Sequence, residues 1–104
     1  MANNLNSLIL EGVVKGEPHL VETSDVLNFT IEVTRYYRNR AGEGVEEKSL
    51  FKVVAFGAMS KLPLKDGVGV RLVGRLKQNT WVDDGVSHSE VQVVAEHIEI
   101  RKTK

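Results

Sequence analysis

From Val26 to Thr34 the chain alternates without interruption: Leu27, Phe29, Ile31 and Val33 fall on one side, and Asn28, Thr30, Glu32 and Thr34 on the other. A period of two belongs to an extended strand with one buried face. This segment commits the chain to a sheet that has a core on one side and water on the other.

The other segments extend that commitment. Asn6–Lys15 reads as a first strand, with Leu8, Leu10 and Val14 on one side and Gly12 between them, where a strand glycine marks a bulge or bend. Lys48–Phe56 is the third strand. Phe51, Val53 and Ala55 form one set; Lys48, Leu50, Lys52, Val54 and Phe56 form the other, which holds both lysines and is expected to face solvent, leaving Phe56 partly uncovered. The fourth strand runs from Val70 to Trp81. Asp83, Asp84 and Gly85 then supply a hairpin turn, and a fifth strand runs from about His88 to Ile100. Within that strand Val91 and Val93 keep one phase, while Val94, Ile98 and Ile100 keep the other, so a bulge is expected between them. GEPHLVETSD reads as a turn region and Arg35–Glu47 as a polar loop; Ala58–Leu62 has room for one helical turn before Pro63 ends it.

Five strands with a short helical segment between the third and fourth is the element order of an all-β, five-stranded OB-fold barrel. Long strands with bulges or glycine bends are what a small coiled barrel requires. A β-sandwich usually has about seven strands and fits less well. At 104 residues the chain is expected to be a single domain over 1–104, with the basic end RKTK at 101–104 frayed.

Composition removes several function classes. There is no Cys, so disulfides and thiolate metal sites are out. No apolar run reaches membrane-spanning length, and MANNLNS lacks a signal pattern, so a soluble, cytoplasmic protein is expected. Fourteen basic residues balance fourteen acidic ones, which argues against a strongly basic duplex binder but leaves open cations sorted onto one face.

VRLVGRLKQNTW, residues 70–81, has that sorting. Val70, Leu72, Gly74 and Leu76 share one side; Arg71, Val73, Arg75, Lys77, Asn79 and Trp81 share the other. Cations track a phosphate backbone, and an indole offers a base a stacking surface. The competing reading is an ordinary solvated strand with a core Trp at its end. Other candidates are weaker. His19, His88 and His97 lack the spacing of metal ligands, and Ser24 and Asp25 lack a nucleophile-elbow context. The glycines around Gly42 and Gly67 lack the strand–turn–helix setting of a phosphate loop. Glu46–Glu47 and Asp83–Asp84 read as solvated acids in loops. No catalytic constellation, metal site or cofactor site emerges, and an enzyme is not expected.

The segments NSLILEGVVKGEPHL, NFTIEVTRYYR, SLFKVVAFGAMSK, GVGVRLVGRLKQNTW and VVAEHIEI together resemble the DNA-binding core of bacterial single-stranded DNA-binding (SSB) proteins, in order and nearly in spacing. The resemblance implies base stacking at Tyr37, Leu50, Phe56 and Trp81. Phosphate and polar contacts are expected from Arg35, Arg38, Lys48, Lys52, Arg71, Arg75, Lys77 and Asn79. It further implies single-stranded DNA as partner, roles in replication, repair and recombination, and self-association. A homodimer would form through the first strand, with a homotetramer as the larger alternative. Departures are Leu50, where many relatives carry an aromatic residue, Phe51, and a shortened helical segment containing Pro63. The family's acidic C-terminal tip, which recruits replication and repair proteins, is not in this sequence. Two readings of that absence stand: a truncated SSB core, or a tailless PriB-type primosomal replication protein. A protein-interaction OB module is the alternative from another class.

Overall fold

A computed structural model describes residues 2–101. Six strands form in order: β1 (Leu8–Val14), β2 (His19–Val21), β3 (Val26–Arg38), β4 (Gly44–Phe56), β5 (Gly69–Asp83) and β6 (Val86–Arg101). Short 3₁₀ turns occupy Glu22–Ser24 and Gly57–Lys61. The second is the expected helical piece, ended by Leu62 in extended conformation just before Pro63.

Antiparallel pairing joins β1 to β5, β5 to β6, and β3 to β4. Two short seams then close the sheet on itself. Val13 and Val14 of β1 pair with Glu32 and Ile31 of β3, and Val53 and Val54 of β4 pair in parallel with Val93 and Val94 of β6. The five long strands thus make a closed barrel, the OB-fold architecture expected from the sequence. β2 is an addition to that expectation. Its three residues pair with Val26–Asn28 on the edge of β3, and are too few to show a period.

The interior is filled by the predicted alternation: Leu27, Phe29 and Ile31 from β3, Val53 and Ala55 from β4, Val70 and Leu72 from β5, with Val14, Leu64, Val93, Ala95 and Ile98. Burying a side chain of this kind contributes roughly 1.5–3 kcal/mol, so this cluster is the main support of the fold. Two glycines make the barrel's tight corners. A Cβ on Gly12 would run into the Glu32 carbonyl oxygen and the Ile31 side chain, where β1 crosses β3; one on Gly74 would run into the Val94 carbonyl oxygen. Gly74 lies beside the expected bulge. Val73 pairs with His97 and Gly74 with Ala95, so Glu96 is the extra residue. The bulge shifts the buried positions of β6 from Val93 and Ala95 to Ile98. Asp84 and Gly85, both at positive φ, form the hairpin turn.

The segment Arg35–Glu47 departs from the loop expectation. β3 and β4 stay paired as far as Arg38 opposite Gly44, so only Asn39–Glu43 remain as loop. The Asn39 side-chain oxygen accepts from the backbone N–H groups of Ala41 and Glu43, each at 3.0 Å, and Arg38 Nη1 donates to the Gly42 carbonyl at 2.8 Å. Polar contacts hold this arm, so it lacks the apolar alternation that marks a strand in sequence. The β3–β4 and β5–β6 hairpins both project beyond the barrel. The radius of gyration is 16.1 Å, against about 13 Å for a compact domain of similar length. Of the end expected to fray, 102–104 lie outside the described residues.

Candidate nucleic-acid interface

The face is set by register. β3 and β4 pair without a break from Val26 opposite Phe56 to Arg38 opposite Gly44, and directly opposed residues share a side of the sheet. Asn28, Thr30, Glu32, Thr34 and Tyr36 therefore stand with Lys48, Leu50, Lys52 and Phe56, on the side away from the barrel interior. On the β5–β6 arm, Lys77 opposes Gln92, Asn79 opposes Glu90, and Trp81 opposes His88. The two sets meet: Lys15, Asn28, Thr30, Lys52 and Gln92 line one shallow depression. The outward surface is thus continuous from the β3–β4 arm across to the β5–β6 arm.

Apolar and aromatic groups are spaced along it. Leu50 is 61% exposed, Phe56 48% and Trp81 46%. The His88 ring stacks on Trp81 with centroids 5.4 Å apart and planes inclined by 17°, so one indole face is covered and the other is open. Asn79 donates from its amide to the Gln92 side-chain oxygen beside it.

Most of the cations on this surface are already paired. Lys52 Nζ lies 2.6 Å from Glu90 Oε1. Lys48 is 3.4 Å from Glu46 and 4.0 Å from Glu32, and Arg75 is 3.9 Å from Glu96. Lys77 has no carboxylate partner among the described residues. Tyr36 shares the Lys48 cluster: hydrogen bonding to Glu46, reinforced by that carboxylate's charge, raises the phenol above its usual pKa.

Four sequence-predicted residues, Arg35, Tyr37, Arg38 and Arg71, stand elsewhere or are engaged in the scaffold. Tyr37 alternates onto the opposite side of β3, where Arg35 lies over its ring at 4.9 Å from the centroid. Arg71 is at the far end of β5, bound to Glu11 of β1, which also holds Arg101 at 3.0 Å. That hydrogen bond from Arg71 outweighs desolvation and, with the charges of Arg101 and Arg71, holds the Glu11 carboxyl below the usual range. Arg38 closes its own hairpin loop.

Sequence reasoning missed Tyr36, 74% exposed on the Leu50 side, as well as His88, Glu90 and Gln92. The signal for Tyr36 was present, since it continues the Asn28–Thr34 alternation; reading a loop from Arg35 interrupted it.

A closed five-stranded barrel with two projecting hairpins and one outward face of aromatic, cationic and amide side chains defines an OB-fold protein of the oligonucleotide-binding type. The chain belongs to the Single-strand binding protein family, which matches it over residues 5–101. It is 32% identical over 102 residues to the single-stranded DNA-binding protein of Aquifex aeolicus, covering 92% of this chain and 69% of that one. It is 30% identical over 90 residues to single-stranded DNA-binding protein 1 of Chlorobaculum tepidum, covering 81% of this chain and 56% of that one. Among solved structures, the wild-type single-stranded DNA binding protein of Thermus aquaticus superposes with a TM-score of 0.79 at 25% identity, over 97% of this chain and 52% of that one. The Plasmodium falciparum SSB complex with single-stranded DNA shares the fold, with a TM-score of 0.82 at 18% identity over 98% of this chain and 99% of that one.

Proposed function

We propose that this chain binds single-stranded DNA without catalysis and with little preference for base sequence, coating it during bacterial replication, repair and recombination. The observation that carries this reading is the continuous outward face across β3, β4, β5 and β6, on which Leu50, Lys52, Phe56, Lys77, Asn79 and Trp81 stand together. Family membership supports it, as do relatives named single-stranded DNA-binding proteins.

In this reading bases stack on the open side of Trp81 and on Phe56. Leu50 serves as an apolar platform without a π face, and Tyr36 extends the row along the arm. Stacking contributes roughly 1–3 kcal/mol per base and tolerates any base, because each has a π face. Lys48, Lys52, Arg75 and Lys77 follow the phosphates, with Asn79 as a polar contact. Tyr37 and Arg35 are reached only by a strand that passes around the tip of the β3–β4 arm. Arg71 and Arg38 hold the scaffold instead. The site operates in the cytoplasm on nucleoid DNA.

The test is a titration of the intrinsic fluorescence of Trp81, the chain's single tryptophan, with oligo-dT and with a duplex of equal length. Quenching by oligo-dT well below the concentration at which the duplex acts, and weakening as salt rises, is the expected result. An unchanged signal and no mobility shift at low salt would overturn the reading and leave a protein-interaction module.

A further inference from the structure

We infer that Glu90 is a built-in competitor for DNA phosphate: in the free protein its carboxylate occupies Lys52, and a bound strand must displace it. This rests on the proposed single-stranded DNA reading and names a residue that tunes it.

The geometry has three parts. Lys52 stands on β4 between Leu50 and Phe56, in the middle of the outward face. Its ammonium is 2.6 Å from Glu90 Oε1, the closest Lys–carboxylate approach among the described residues. Glu90 sits on β6 opposite Asn79 and two positions from His88, on the side that carries Trp81. β4 and β6 pair only at Val53–Val93 and Val54–Val94, and the two strands part beyond that seam. Lys52–Glu90 bridges the parting and is the one ion pair between the β3–β4 and β5–β6 hairpins among the described residues.

A carboxylate and a phosphodiester oxygen are alternative acceptors for the same ammonium, and Lys presents a single compact charge that cannot serve both fully. Lys52 is 66% exposed and Glu90 38%, so the pair is hydrated and exchangeable rather than locked. Exposed pairs of this kind are weak, which limits the competition to about a two- to five-fold effect on affinity. A lysine shared with its own protein's carboxylate neutralises a phosphate less fully and displaces fewer of the counterions condensed on the DNA, so binding should depend less on salt than the cation count suggests. The sorting of charge onto the outward face is therefore partly cancelled on the same face, in keeping with the chain's balanced total.

The test is a double-mutant cycle on the full chain, with oligo-dT affinity measured by Trp81 quenching across a salt series. Glu90→Gln is expected to tighten binding about two- to five-fold at low salt and to steepen the log affinity against log salt slope by up to about 0.7. Lys52→Gln is expected to weaken binding, and Glu90→Gln added to Lys52→Gln to change nothing further. Both side chains project into solvent, and thermal melts check that each variant folds. A gain from Glu90→Gln that persists without Lys52 would show a general field effect and overturn the assignment. So would unchanged or weaker binding by Glu90→Gln. Wild-type protein that ignores oligo-dT at low salt would instead sink the proposed function itself.

Discussion

Trp81 is positioned before any ligand arrives. His88 covers one face of the indole at 5.4 Å, and the cross-strand register holds both rings on the outward side. A platform already ordered loses less side-chain freedom when a base lands on it. Trp81→Ala and Phe56→Ala should each weaken oligo-dT binding by about 1–3 kcal/mol while leaving the salt slope unchanged. Lys77→Ala should weaken binding too, but should also reduce the salt slope by about 0.7 per lost phosphate contact. Because Phe56 and Trp81 are both about half exposed, the aromatic variants should melt close to the wild type. A large drop in melting temperature would mean that the rings support the barrel instead. At this scale the strand period made much of the face legible: Leu50, Phe56 and Trp81 stand on the lysine-bearing sides that alternation assigned. Glu90 was not legible, because its link to Lys52 depends on a two-residue parallel seam between distant strands.

Elements were legible where one face is buried. β3 and the barrel part of β5 follow their apolar alternation, and the phase change in β6 marked its bulge. In β4, Val53 and Ala55 face the core as expected, but Val54, expected on the solvent side, is also buried where β4 pairs with β6. The polar hairpin arm between Thr34 and Lys48 was not legible, since both of its sides meet water and charge, and nothing in its period separates strand from loop. The ends of strands are joined by charge as well as by backbone pairing. Glu11 of β1 ties Arg71 of β5 to Arg101 of β6, and its carboxyl is more acidic than usual, foremost through the Arg71 hydrogen bond. A carboxyl whose folded pKa is depressed stabilises the fold above its unfolded pKa, and that contribution is lost as pH falls through the folded value. Glu11→Gln should therefore melt below the wild type at neutral pH, and the gap should close once pH drops beneath the usual carboxylate range. Melting curves across pH check this. A gap that persists in acid would trace the effect to packing rather than charge.

For the whole molecule, β1 is the incomplete part. One edge is paired with β5 from Leu8 to Val13, while the other meets β3 only at Val13 and Val14. From Leu8 to Gly12 that edge has no strand partner among the described residues, and Ile9 beside it is 69% exposed. Bare edges of this kind pair with another chain. A second copy of β1 across a two-fold axis would satisfy both edges at once. Light scattering at micromolar concentration should give the mass of two or four chains; the mass of one would refute the pairing. Glu96 has a longer reach than its exposed side chain suggests. It acts on β6 as an inserted letter acts on a reading frame. Beyond it Ile98 turns inward; before it Val93 and Ala95 turn inward while His88, Glu90 and Gln92 stand on the outward face. Deleting that one residue would leave every later word intact and reverse its meaning, sending Ile98 to the surface and its polar neighbours His97 and Glu99 toward the core. Tolerance to deletion in this strand is therefore decided by parity, and a length change of two residues would do less harm to the faces than a change of one.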